Sequence, residues 1–404
     1  MRTRIVPDIW LFIFALSATL IGLLFIFDAG YARSIQESGS MIPAEFTTQI
    51  RLLVVALAGY ALCRYVSIDF LKRSSGWLWL LTLVGLALVD LIGKSQNEAK
   101  RWIAIGSVTI QPSEFAKLTL VLFVAAVLAD KKDWNPARRR RSFALWVDNI
   151  FTPQLKRWVP GLLVVLGVGF VELGKDLGTA GVLFAIFIAM CATGGIGRRS
   201  WATIGVVVLI FLPALFMKQA YRMERLTTHT ARWETQNVDD KGFQTTQAER
   251  GMADGGLFGV GIGAGQVKHI IPAPTTDYIM ATIAEETGLL GSLVVLGAIA
   301  GLVWRLLVLA KKATDRFSAL TFYGIASWIG IQTAVNVMMA NATLPSIGIP
   351  IPFISSGGSS LVALWMAIGV AQRLAAAPVL APQEDENANR NHRRWNRRPH
   401  LSGA

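Results

Sequence analysis

Apolar runs of about twenty residues, the length a helix needs to cross a bilayer, recur along the chain between short polar connections. The pattern predicts ten spans, at residues 8–28, 50–66, 76–93, 113–129, 158–172, 178–195, 201–217, 278–310, 318–341 and 357–377. The eighth is longer than one crossing requires, and the turn around Gly174 between the fifth and sixth is very short. The expectation is an all-α polytopic integral membrane protein, with a membrane domain over residues 1–377 and a basic, disordered tail over 378–404. Residues 218–276 form a long connection whose fold the pattern does not specify.

The short loops that carry Lys and Arg set the orientation. Lys72 and Arg73, then Lys131, Lys132, Arg138–Arg141, Lys156 and Arg157, then Arg198 and Arg199, then Lys311, Lys312 and Arg316 all fall on one side. The tail after Arg390 joins them. This alternation places both termini in the cytoplasm and makes 218–276 and 341–356 extracytoplasmic.

Composition agrees. Of 404 residues, 53% are hydrophobic and 16% charged, against about a quarter charged in soluble domains. The net charge of +13 follows from basic inner loops that meet anionic lipid headgroups, so no nucleic-acid partner is inferred. The first apolar run lacks a small-residue cleavage site and does not read as a cleavable signal peptide. Cys63 and Cys191 lie near predicted cytoplasmic ends, which argues against a disulfide. His229, His269, His392 and His400 offer no metal-ligand spacing, so no protein-built metal site is expected.

Ionisable groups inside spans are costly, and here they gather toward the outer side. Pro112-Ser113-Glu114-Phe115-Ala116-Lys117 reads as a helix start, with Pro at the first position and an acid in the first turn. Glu114 and Lys117, three apart, share a face. They form either a cap with a salt bridge or a lysine aimed at a phosphate. Arg101, beside Trp102 in the preceding loop, is a bidentate phosphate candidate. Asp176 before Leu177-Gly178-Thr179 reads first as an N-cap. The Gly255–Gly263 run follows no strand, so a nucleotide loop is rejected; its glycines let backbone approach a ligand or the membrane surface. Residues 344–360, with Pro345, Pro350 and Pro352, read as a rigid cavity wall. Asp277 stands where the long outer segment runs into an apolar helix, near Lys268, Glu285 and Glu286. It is either a helix terminus or a base facing an amphiphilic substrate.

These stretches resemble the SEDS (shape, elongation, division and sporulation) family, which includes RodA and FtsW. The likeness covers roughly 8–377. It is carried by Lys100-Arg101-Trp102-Ile103, the Gln111–Lys117 segment, Asp176-Leu177-Gly178-Thr179-Ala180 and the Gly255–Gly261 run. Thr276-Asp277-Tyr278-Ile279, Glu285-Glu286-Thr287-Gly288 and Pro350-Ile351-Pro352-Phe353-Ile354-Ser355 complete it. The sequence departs from the family's pattern at Ala273, Thr275, Lys175 and Ser356. The resemblance implies a glycosyltransferase that polymerises lipid II into glycan strands on the outer face of the bacterial cytoplasmic membrane, beside a class B penicillin-binding protein. It maps the catalytic acid onto Asp277, the membrane-edge pair onto Glu114 and Lys117, and other outward polar positions onto Arg101, Asp176 and Gln247. Lys268 and Ser355 join the expected substrate-binding set. Division-type and elongation-type members share the motifs, and the reading leans to the division type.

The expected chemistry makes Asp277 the general base toward the acceptor sugar hydroxyl, with undecaprenyl pyrophosphate leaving. The pyrophosphate needs positive charge, supplied by a divalent cation such as Mg or Mn or by Lys117, Arg101, Arg222 and Arg225. No organic cofactor is expected. The competing readings are a lipid II flippase, which would need polar groups through the full membrane depth, and a non-enzymatic scaffold for division or elongation.

Overall fold

A computed structural model describes residues 8–96, 99–105, 108–129, 152–196 and 201–376, apart from 203, 207, 208, 210–219, 239, 241 and 273. The helices are α1 (Ile9–Ser38), α2 (Ala44–Tyr65), α3 (Ile68–Ile92), α4 (Pro112–Ala129), α5 (Thr152–Leu173), α6 (Leu177–Thr193), α7 (Ala220–Thr230), α8 (Thr235–Val238), α9 (Phe243–Asp254), α10 (Val267–Ile270), α11 (Ile279–Lys312), α12 (Arg316–Ala340) and α13 (Gly358–Ala375). Six of them, α1 to α4, α11 and α13, are long and apolar enough to cross a membrane, and apolar stretches of α5 and α6 are shorter. The 25-residue α12 is as long as α3, but it carries Gln332 and Asn336 inward, both fully buried. Most of predicted span seven (203, 207, 208 and 210–217), the basic stretch from Lys131 to Arg141, Arg198, Arg199 and the tail lie outside the described residues; residues 201, 202, 204–206 and 209 of the span are helical, as expected.

Elsewhere the predicted spans fall on helices, with shifted ends. Span two begins at Ala44 rather than 50, and span three at Ile68 rather than 76, because Ser67 caps it by accepting from the Phe70 amide. The all-α expectation holds, with one small antiparallel sheet added to it, β1 (Lys94–Gln96), β2 (Ala99–Ile105) and β3 (Val108–Ile110). β1 and β3 have three residues each, too few to show a period of two, and the seven of β2, which holds Arg101, do not alternate apolar and polar.

Helices α4 and α13 are largely buried, whereas α2, α3 and α11 turn most of their surface outward, as lipid-facing helices do. Small residues permit close approach. A Cβ on Gly369 would lie 2.4 Å from the Tyr60 carbonyl oxygen, which ties α13 tightly to α2. A Cβ on Gly22 would lie 2.6 Å from Ile354 Cα, so α1 packs on the backbone before α13. At the end of the bundle that carries Lys311, Lys312 and Arg316, Asp8 binds Arg305, Gln372 donates to the Asp8 carbonyl, and Arg373 donates to the Val66 carbonyl.

The long eighth span is two helices spliced at Gly288, whose φ of 65° and ψ of −165° are open essentially to glycine alone. In an unbroken helix the Leu289 and Leu290 amides would reach the Glu285 and Glu286 carbonyls. Here those amides donate instead to Gly256 and Leu257 (2.9 and 3.2 Å), while the two carbonyls accept from Val260 and Gly261 (2.9 and 3.0 Å). The glycine run is thus inserted into the ladder, and four bonds replace two. A Cβ on Gly259 would sit 2.1 Å from the Glu286 carbonyl oxygen, so the insertion leaves no room for a side chain.

Candidate functional site

The site lies at the end of the bundle remote from Lys311 and Lys312, where α4, α6, α11 and α12 meet the loop before α13. Its floor is polar. The Lys117 ammonium, 1% exposed, donates to both Glu114 oxygens (2.8 and 2.9 Å) and to Gln332 Oε1 (2.9 Å). A lysine has three donors, and all three have acceptors. The Trp328 indole also donates to Gln332 Oε1, which leaves the Gln332 amide to donate to the Pro350 carbonyl at 2.8 Å. The expected helix start and pair are present, but Lys117 does not point at an open phosphate site. Its charge is consumed within the core.

One turn further along α12, Asn336 donates to the backbone carbonyls of Asp277 (3.0 Å) and Ile349 (2.7 Å). Ser355 accepts from the Ile351 amide (2.8 Å) and donates to the Thr276 carbonyl (2.6 Å). The Ser356 amide donates to the Thr275 carbonyl at 2.8 Å. The proline-rich segment is therefore a buried wall laced to the Asp277 turn. The Ser355 hydroxyl is part of that lacing. Gly348, at φ 75°, brings the wall so close that a Cβ there would lie 3.3 Å from Asp277 Oδ2.

Asp277 does not cap the helix that follows. Tyr278 holds the N-cap position, and no side chain there bonds the first turn. The aspartate is partly exposed. Burial raises its carboxyl above the ordinary carboxylate range; Arg101 pulls it down, Asp176 pushes it up, and Arg225 pulls it down. These three residues are its charged surroundings.

Asp176 performs its expected capping duty, accepting from the Thr179 amide at 3.2 Å through Oδ1. Its other oxygen faces Arg101 Nε at 3.9 Å and the Gln111 amide at 3.5 Å. Arg101 also donates to the Lys175 carbonyl at 2.8 Å, and its Nε is buried without a hydrogen-bond partner. Lys175 itself sits at φ 58° in the tight turn before α6. Arg225, on exposed α7, donates to the Ser346 carbonyl at 3.1 Å. Arg222 lies on the same helix, and Gln247 is half-buried on α9.

Lys268 is elsewhere. Its ammonium, 3% exposed, bonds Asp28 of α1 and Glu286, each at 2.6 Å. Burial alone would lower its pKa, but the two carboxylates outweigh that and raise it, so it stays charged and engaged. Glu285 accepts from the Gln266 and Val267 amides (2.8 and 3.0 Å). This cluster fastens the 218–276 segment to the bundle, with the Lys268 ammonium engaged by two carboxylates. Gln332 and Asp28 are the residues that sequence reading missed. A polar residue four positions from Asn336 in an apolar helix was the signal for Gln332; Asp28 had none.

Fold and site together define a multi-pass helical membrane protein that holds a partly exposed acid within the field of two guanidinium groups at one end of the helical bundle. Residues 8–378 match the FtsW/RodA/SpoVE family, described as cell cycle proteins, and the chain belongs to that family. It is 32% identical over 378 residues to a Coxiella burnetii protein named "Probable peptidoglycan glycosyltransferase FtsW", covering 91% of this chain and 96% of the relative. It is 30% identical to "Stage V sporulation protein E" of Bacillus subtilis, covering 90% and 95%. Among solved structures, a chain from a study of polymerisation and crosslinking by a peptidoglycan synthase complex superposes with a TM-score of 0.72 at 24% identity, over 92% of this chain and 98% of that one. The crystal structure of Thermus thermophilus rod shape determining protein RodA gives 0.63 at 24% identity, over 92% and 97%.

Proposed function

We propose that the chain is a peptidoglycan glycosyltransferase that polymerises lipid II at the extracytoplasmic face of a bacterial cytoplasmic membrane, with Asp277 as general base. One observation carries the assignment of Asp277. It caps no helix, is partly exposed, and has its carboxyl raised by burial above the ordinary carboxylate range, the direction that suits a general base. The family and the curated relatives' names support the reaction class.

Asp277 accepts the proton of the acceptor sugar 4-hydroxyl. The oxygen forms the new bond to the anomeric carbon of the growing strand, and the old carbon–oxygen bond breaks with inversion. Its electron pair departs on undecaprenyl pyrophosphate. Arg101 and Arg225 flank Asp277 and are the guanidinium groups that meet the leaving pyrophosphate; Arg222 shares α7 with Arg225. Glu114 and Lys117 act on the wall through Gln332, and Gln247 lies on the helix behind Tyr278, whose hydroxyl pairs with Thr245 at 3.3 Å.

Among the described residues no cluster of three or more potential ligands could hold a metal. A magnesium or manganese ion carried on the pyrophosphate needs only one or two carboxylates, and Asp176 is the one that would hold it, leaving Asp277 free to take the proton. Such an ion would add counter-charge to the leaving group. The partners of this reading are lipid II, the nascent glycan strand and a class B penicillin-binding protein that cross-links it.

The test is polymerisation of lipid II by purified protein with its transpeptidase partner. Asp277→Asn keeps the shape and removes the base, and a fall of about 10²-fold or more is expected. Near-normal glycan synthesis by that variant would remove Asp277 from the chemistry. A lipid II flippase would instead expose headgroups across vesicles without forming glycan, and that assay separates the two readings.

A further inference from the structure

The spliced glycine run presents a second feature that the reaction does not use. Leu257 (59% exposed), Phe258 (79%), Val260 (44%) and Ile262 (60%) all turn outward. From Gly255 to Gly265 the sequence holds no charged or hydrogen-bonding side chain. In water such a tip would be an unexplained apolar patch.

We propose that the 257–262 segment is a membrane anchor, with these four side chains inserted at the acyl–headgroup boundary of the leaflet on the Asp277 side. Three observations select lipid as the occupant. First, the base of the tip satisfies much of its backbone internally, as contact with lipid demands. The Gly259, Val260 and Gly261 amides have partners and the Gly256 and Leu257 carbonyls accept from α11, while the Leu257, Phe258 and Ile262 amides have none, which suits the hydrated acyl–headgroup boundary rather than the hydrocarbon interior. Second, the tip continues an exposed apolar stripe on α11 formed by Leu289, Leu290, Leu293 and Val294, each at least half exposed. Third, the depth agrees. Counting about twenty residues, or ~30 Å of helix, back from the basic end at Lys311 reaches the neighbourhood of Leu290, the residue bonded to Leu257. The tip therefore lies where hydrocarbon gives way to headgroups, with Phe258 suited to that boundary. The anchoring itself stands independently of the reaction. Its use rests on the proposed function: the anchor would set the depth of the Ile279–Thr287 helix, and so of Asp277, relative to a lipid-linked pyrophosphate.

The experiment is a depth measurement that needs no turnover. Cys63 and Cys191, both buried, are replaced by serine, and a nitroxide is attached to Phe258→Cys in phosphatidylcholine–phosphatidylglycerol vesicles. Leu293→Cys gives the lipid reference and Glu234→Cys, exposed on the same face, the aqueous one. Because Phe258 is among the most exposed side chains, its replacement leaves packing intact. The label at 258 is expected to be relaxed by oxygen several-fold more than by a water-soluble nickel complex, as at 293. A label at 258 that behaves like the one at 234 overturns the proposal. So does one shielded from both reagents, which would place a protein partner there. If the depth result holds while Asp277→Asn polymerises normally, the anchor survives and the catalytic reading fails.

Discussion

Asn336 holds Asp277 by its backbone: the side-chain amide donates at 3.0 Å to the Asp277 carbonyl while its second hydrogen reaches Ile349 at 2.7 Å. One side chain therefore fixes the distance between the acid's turn and the wall facing it.

Asn336→Leu removes both donors and leaves two buried carbonyls unmet, each costing about 1–3 kcal/mol. Melting in detergent should fall accordingly. Polymerisation should fall by about 10²-fold if the turn shifts by an ångström. Asn336→Asp keeps the shape but turns an acceptor toward both carbonyls, and is expected to be no better. Wild-type turnover in either variant would show that the turn needs no such tie.

Lys117→Met strands Glu114 as a buried charge, and breaking such a pair costs about 3–5 kcal/mol. Glu114→Gln combined with Lys117→Met removes the stranded charge, so stability should largely return. Glycan synthesis should stay low, because Gln332 loses the ammonium that orients it toward Pro350. A double variant that recovers stability and activity together would reduce the pair to a packing element.

The pH profile should follow the charges around Asp277. A base works deprotonated, so its activity falls as pH drops through its pKa, and a raised pKa places that acid limb higher than for an ordinary carboxylate. Asp176 pushes the Asp277 carboxyl up and Arg101 pulls it down. Asp176→Asn should therefore move the limb to lower pH, and Asn still caps α6. Arg101→Gln should move it to higher pH. Limbs that move together, or not at all, would contradict Asp277 as the titrating group.

Gly288→Ala should be poorly tolerated. Its dihedral angles cost a side chain about 1–3 kcal/mol, and the added carbon would lie 2.4 Å from the Gly259 amide nitrogen. Gly76→Ala, in helical α3 with nothing within 4 Å of a new Cβ, should be neutral or stabilise by up to ~1 kcal/mol. Equal melting temperatures for the two variants would mean that the splice carries no stability.

The sequence was informative where structure is local. Capping by Asp176, the Glu114–Lys117 pair and the helical spans are set within a few residues, and composition and order reveal them. The splice at Gly288 was hidden because its bonds join residues about thirty positions apart, and a run of glycines states permission rather than a partner. The partners of the basic residues were hidden for the same reason. Lys117 and Lys268 look alike in sequence to Arg101 and Arg225, and only the tertiary contacts to Gln332 and Asp28 reveal that the first two are occupied. The short helices between 220 and 270 carry too little apolar period to be read before the bundle is assembled around them.

The interruption at Gly288 also gives α11 a joint. Spanning helices answer a thicker or thinner bilayer by tilting, and a continuous rod would transmit that tilt directly to the acid at its head. Here Gly288 separates the 289–312 portion from the Ile279–Thr287 portion, which the Val260 and Gly261 amides and Lys268 fasten to the 218–276 segment, so tilt of the first is expected to reach the second only in part. Turnover is therefore expected to vary little between vesicles of different acyl-chain length, and steeply once the joint is stiffened or cut loose.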